Sequence, residues 1–259
     1  MSDLTLTAPR TGLTPALALT GRCLRMSRRQ VDTLLTSLML PVMLMVFFVV
    51  LFGHAISTGT KYVTYVVPGV MLLCAAVGSA GTAVAVSQDM AGGIIDRFRS
   101  MDIAATPMLT GHVVANVARN LVSAVLVLGV AFGLGFRPHA GVAAWFGAAG
   151  LLVLCLIALS WLCAAYGLLT KSPEAANSSM FVMMFAIYAS SALVPVHTMP
   201  SWLRGFAANQ PATLVIETLR GLLLHTPAGP APWRAVAWCL GILVVSVALC
   251  GVLFRRRTS

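Results

Sequence analysis

The chain has 259 residues, 59% of them apolar and 9% charged, with a formal net charge of +10 and a mean hydropathy of +0.92. Soluble domains run near half apolar and about a quarter charged, so this balance excludes a single water-soluble core and places the chain in a bilayer. The positive charges gather at the ends of apolar runs, which is the footprint of membrane orientation and sets aside a nucleic-acid groove.

Residues 1–14 are rich in Thr and Pro and are expected to be disordered. The first fifteen residues lack the short apolar core of a cleavable signal, so the first span is expected to serve as its own uncleaved signal. Residues 15–259 read as one transmembrane domain. Over 15–36, Leu17, Leu24, Val31 and Leu35 share one helical face, and Arg22, Arg25, Arg29 and Asp32 share the other. Arg28 falls near the apolar stripe, where its long stem can snorkel. This predicts an amphipathic helix in the inner membrane surface, held to anionic lipids. The alternative is a plain extension of the first span.

Apolar runs then predict six spans at about 38–52, 65–86, 115–136, 142–169, 177–195 and 233–254. Pro41 sits near the start of the first, where a missing N–H is best tolerated. The fourth run is long enough to require tilt. Between the fifth and sixth, the stretch 196–232 contains an apolar piece too short to span, 213–224, carrying Glu217 and Arg220. Half-helices that dip in and return fit it better than a full span. Six cysteines are present; five lie inside apolar runs and none forms a CxxC pair, so they read as small apolar residues.

Lys and Arg set the orientation. With both termini inside, twelve of the seventeen lie on the cytoplasmic side and five outside, which favours N-in, C-in with six spans. The polar stretch 87–102, SQDMAGGIIDRFRSMD, is then cytoplasmic. It holds three of the seven acidic residues, Asp89, Asp96 and Asp102. Gly92-Gly93 can break the preceding helix. Ile94, Ile95, Phe98 and Met101 recur as an apolar face bordered by Asp96, Arg97, Arg99 and Ser100. Such a short amphipathic helix suits a groove on a partner, with a lipid-surface helix as the alternative.

Several chemistries are missing. No Gly-rich loop ends in Lys-Ser/Thr, so the chain has no phosphate cradle of its own. No Gly-x-Ser-x-Gly, no His-Glu-x-x-His and no pair of acidic residues lies within the spans. The span interiors hold Ser, Thr, Cys, Gly and Met. That composition points to a largely apolar cargo or to a path that opens between subunits. Gly129-x-x-x-Gly133 offers a close-packing face, and thirteen Met residues an adaptable apolar lining; ordinary membrane-helix composition accounts for both more simply. Arg119, near Asn116 and Asn120, either pairs across a subunit interface or snorkels to lipid phosphates. His112 borders the cytoplasmic loop, and His54, His139, His197 and His225 fall in external loops or at span edges.

Five blocks in order resemble the ABC-2-type transporter permeases, in the drug-exporter branch typified by the daunorubicin-resistance permease. They are Leu40-Pro41 with VMLMVFFVVLFG; Tyr65-Val66-Val67-Pro68-Gly69; 93–111; 133–137; and 190–220 with Val194-Pro195, Met199-Pro200, Trp202, Asn209-Gln210-Pro211 and Glu217-Thr218-Leu219-Arg220. The resemblance covers about 30–253. It implies an all-α membrane permease, not itself an enzyme, that binds no cofactor and relies on ATP and Mg held by a separate ATP-binding cassette subunit. It implies a second permease chain, in a homo- or heterodimer. It makes Gly93, Ile94, Asp96, Arg97, Phe98, Arg99, Ser100 and Met101 the coupling helix. It makes Pro200, Trp202, Asn209, Gln210, Pro211, Glu217 and Arg220 part of external re-entrant helices at the outer mouth. Asp102 stands where the family commonly has Pro. The expected cargo is a hydrophobic or amphipathic drug-like compound; a lipid or lipid-linked glycan is the alternative within the class, and a stand-alone channel or scaffold the alternative outside it.

Overall fold

A computed structural model describes residues 31–52, 61–92, 106–138, 140–224 and 232–258. The predicted coupling helix and most of the predicted surface helix lie outside the described residues. The described chain is helical: α1 Val31–Phe52, α2 Tyr62–Ala91, α3 Thr106–Gly133, α4 Val142–Leu169, α5 Pro173–Tyr188, a 3-10 turn Val196–Thr198, α6 Ser201–Asn209, α7 Pro211–Leu224 and α8 Pro232–Thr258. Among the described residues four helices are long and apolar enough to cross a membrane: Tyr62–Ala91, Met108–Gly133, Val142–Leu169 and Pro232–Phe254.

Local chemistry sets several boundaries. Ser172 caps α5, its Oγ accepting from the Ala175 N–H at 3.2 Å, and Pro173 opens the helix where its missing N–H costs least. At the end of α3 the Phe136 N–H donates to the Ala131 carbonyl and the Gly135 N–H to the Phe132 carbonyl. With Gly135 at φ 93°, this is a Schellman ending, which needs a left-handed residue that glycine supplies without strain. Phe136 then folds back, fully buried, onto Phe132 at 5.6 Å between ring centroids.

Other boundaries depart from the sequence expectation. α1 is helical from the first described residue, Val31, so the tail of the predicted surface helix and the predicted first span are one helix with Pro41 inside it. α3 is already helical from Thr106, well before the expected 115, and runs through Gly111 without a break. The fifth helix begins at Pro173 and stops at Tyr188, short of 195. Its 16 residues give about 24 Å of helix, less than the roughly 30 Å of a hydrocarbon core. Pro195 and Pro200 prevent the helix from resuming at once.

α2 is the central helix. It packs against α1, α3, α4, α5 and α7, and 72% of its most apolar window is buried against 17% for α8. Its Val66, Val67, Val70 and Leu72 meet Leu152 and Leu156 of α4 and Ile216, Leu219 and Leu223 of α7 in the main core. A second cluster joins Val86, Leu109, Val113, Trp161, Leu168 and Cys250. The outer faces are frankly apolar: Phe181, Phe185, Val244, Val245 and Val125 are exposed. Contiguous apolar surface on this scale belongs in lipid.

Between lipid-solvated helices, close backbone approach replaces the hydrophobic drive. A Cβ at Gly167 would strike the Ala83 backbone of α2, and one at Gly69 would come within 2.5 Å of the Ala192 carbonyl oxygen. Gly167→Ala is expected to lower the thermal midpoint of the detergent-solubilised protein, since overpacking costs roughly 1–3 kcal/mol against a helix-propensity gain of about 1 kcal/mol. Gly150→Ala, where an added Cβ meets nothing within 4 Å, is expected to hold or raise the midpoint. Equal midpoints for the two variants would remove the Gly167–Ala83 contact from this account.

Candidate functional site

The chain between α5 and α6 is irregular backbone inside a bundle of apolar helices. Each of its carbonyls must find a donor or carry a desolvation cost. Donors arrive at every second residue. The Ala189 carbonyl accepts from Gln210 Nε2 at 2.6 Å. The Ser191 carbonyl accepts from Tyr65 Oη at 3.0 Å and from Arg220 Nη2 at 3.1 Å. The Leu193 carbonyl accepts from Tyr62 Oη at 2.9 Å. The Pro195 carbonyl accepts from Thr198 Oγ1 at 2.7 Å, and those of His197 and Met199 accept from Arg204 Nη2 at 2.9 and 3.1 Å. The Ser191 N–H donates to Thr213 Oγ1 at 3.2 Å.

Arg220 is the hub. Its side chain is 7% exposed. Its Nη1 donates to Glu217 Oε1 at 2.7 Å. Its Nε and Nη2 donate to the Tyr65 carbonyl at 3.3 and 3.0 Å. The guanidinium carbon lies 3.6 Å from the centroid of the Tyr65 ring, a cation–π contact strengthened by desolvation. Three residues on, Pro68 interrupts the hydrogen bonding of α2. A planar, permanently charged fork can bind two carbonyls, a carboxylate and a ring face together; an ammonium cannot.

The predicted outer-mouth residues therefore divide. Glu217 and Arg220 meet at this node with α2, and Gln210 holds the Ala189 carbonyl. Pro200 caps α6 and Pro211 opens α7. Asn209 bonds back to the Gly205 carbonyl at 3.0 Å within α6. Trp202 stands 79% exposed and Phe206, one turn on, 59% exposed, an amphipathic pair suited to a lipid interface. Gly93, Ile94, Asp96, Arg97, Phe98, Arg99, Ser100 and Met101 lie outside the described residues.

Sequence reasoning missed Tyr62, Ser191 and Thr213; two Tyr at i and i+3 near a Pro-Gly were the available signal. It also left Asn116 and Asn120 without partners. Both are buried. Asn116 Nδ2 donates to Ser160 Oγ of α4 at 2.8 Å and lies 3.4 Å from Ser79 Oγ of α2. Asn120 Nδ2 donates to the Asn116 carbonyl at 3.0 Å and to its Oδ1 at 3.1 Å. Arg119 is half-buried beside them, and among the described residues it forms no ion pair. Among the described residues no cluster of three His, Cys, Asp or Glu could hold a metal ion.

Arg220→Ala is expected to cost more stability than any other change here, because it takes both side-chain donors from the Tyr65 carbonyl and one of two from the Ser191 carbonyl, leaves Glu217 without its partner, and removes charge-assisted bonds worth about 1.5–3 kcal/mol each. Tyr65→Phe keeps the ring under the guanidinium and loses one neutral bond, about 1 kcal/mol. Thermal unfolding in detergent should rank Arg220→Ala well below Tyr65→Phe; the reverse order would contradict the hub.

The description "ABC-2 type transporter" belongs to the family model that matches residues 16–224. The chain is 26% identical over 254 residues, 97% of its own length and 92% of the relative's, to a probable doxorubicin resistance ABC transporter permease protein, DrrC, of Mycobacterium tuberculosis. It is 28% identical over 222 residues, 85% and 76% of the two lengths, to a daunorubicin resistance ABC transporter permease protein, DrrB1, of Streptomyces coeruleorubidus.

Proposed function

The chain belongs to the ABC-2 type transporter family, and from that premise we propose that it is the membrane permease of an exporter that moves a hydrophobic or amphipathic drug-like compound out of the cell. The carrying observation is the likeness, over nearly its whole length, to permeases whose names specify doxorubicin and daunorubicin resistance. The apolar character of the spans agrees with it: a path lined by Ser, Thr, Cys, Gly and Met suits a planar amphipathic compound better than an ion. The energy source is a separate ATP-binding cassette subunit that holds ATP and Mg. Two permease chains and two such subunits form the working complex in the cytoplasmic membrane.

In this reading the four long helices are joined by α1 and α5 as the remaining crossings, giving six spans with both termini inside. α5 is completed across the bilayer by the non-helical chain 189–195, whose alternate carbonyls accept from protein side chains. α6 and α7 are the re-entrant pair at the outer mouth, and the Arg220 node holds the mouth to α2. Residues 93–101 dock on the ATPase. Nucleotide binding there shifts this segment, and the helices rock to alternate access.

Arg97→Glu with Phe98→Ala is expected to abolish co-purification of the cognate ATPase and vesicle export, while membrane insertion persists. Unchanged association would sink the docking role. Doxorubicin uptake by inside-out vesicles carrying both subunits is expected to require ATP and to stop with vanadate. Uptake indifferent to both would favour a channel. ATP-driven transport of a lipid with no doxorubicin uptake would reassign the cargo.

A further inference from the structure

α3 carries polar residues at i, i+4 and i+8: His112, Asn116 and Asn120. This spacing sets them on one helical face, and that face meets α2. His112 Nε2 lies 2.7 Å from Asp89 Oδ2. Asn116 lies 3.4 Å from Ser79. Asn120 sits where a Cβ on Gly78 would have to be. The order along the two chains is antiparallel, so the contacts form one polar seam from the Ala91 end of α2 towards its middle. Ser87, two residues before Asp89, is reached by Thr170 Oγ1 at the end of α4 at 3.4 Å.

The outermost contact has no local reason to exist. Asp89 is in the last turn of α2, the end where a helix disfavours negative charge, and it is met there by His112 of α3. A carboxylate only accepts, so His112 Nε2 is the donor whether the ring is neutral or charged. The side chains are 19% and 29% exposed, and partial desolvation strengthens the bond.

We propose that Asp89 and His112 are positioning residues for energy coupling: they clamp α2 to α3 on either side of residues 93–105. A push on that segment is then delivered to α2 and α3 as one rigid lever. Without the clamp the ends splay and absorb it. This rests on the reading of 93–101 as the ATPase-docking segment, and the deeper seam at Asn116 and Ser79 supplies the stiffness behind the clamp.

The test uses the full chain in inside-out vesicles, alone and with its cognate ATPase, normalised to inserted protein. Asp89→Asn and His112→Ala are expected to raise the rate of tryptic cleavage at Arg97 and Arg99 about tenfold or more, the scale of one lost charge-assisted hydrogen bond. In the complex they are expected to lower doxorubicin moved per ATP hydrolysed by a similar factor, with ATPase activity retained. The exchanged pair, Asp89→His with His112→Asp, is expected to bring both readings back towards the parent. Cleavage and transport per ATP unchanged in both single variants would overturn the clamp, as would an exchanged pair no better than the singles. If the cleavage pattern follows expectation but the parent complex shows no ATP-driven transport, the clamp stands and the exporter reading falls.

Discussion

Everything at the Tyr62 end of this molecule depends on one constraint: backbone that is not helical, yet buried among apolar helices, must have its carbonyls satisfied by protein. The chain from Ala189 to Pro195 meets that demand at alternate carbonyls with side chains from α2 and α7, from Gln210 and from its own 3-10 turn. Gln210, Arg220, Tyr65 and Tyr62 reach in from distant parts of the sequence and take successive alternate carbonyls. Arg220 is tolerated in the core because four hydrogen bonds and an aromatic face surround it. A buried arginine with fewer partners would be a liability.

The same accounting explains how α2 is seated. Apolar side chains gain little by leaving lipid for one another, so register comes from close approach and from polar contact. Gly69 lets the α5–α6 connection press on α2, and Gly167 lets α4 press on Ala83. Between them, Asn116 ties α3 to Ser160 of α4 and faces Ser79 of α2. These contacts permit one register each, because a shift by one residue would bury an unpaired amide or force two backbones together.

α2 thus carries the Arg220 node at Tyr65 near one end and Asp89 near the other, about 36 Å apart along a 30-residue helix. On the proposed reading these ends face opposite sides of the membrane. A rigid element with a specific polar attachment at each end is suited to carry movement between them, provided it is not soft in between. Its burial on most sides supplies that stiffness.

Much of this was legible in the sequence. Composition alone placed the chain in a bilayer. The apolar run 142–169 coincides with a helix of those bounds, and Ser172-Pro173 and Gly135 mark ends through chemistry that acts within a few residues. Glu217 and Arg220 stood out as charges out of place in an apolar segment, whereas His112 read as a loop border and Asn116 and Asn120 as neighbours of Arg119, not as one stripe. What the sequence could not assign was partners. Tyr65 and Ser191 are 126 residues apart and Arg220 and Tyr65 are 155 apart. Periodicity says which face a residue occupies and nothing about what that face meets. The early end of α5 was hidden for the same reason: the residues from 189 on are apolar enough to continue a helix, and only the donors brought by α2 and α7 make leaving it affordable. Local sequence therefore determined where helices can begin and end; tertiary structure decided where this one did, because the hydrogen bonds that permit it come from elsewhere in the fold.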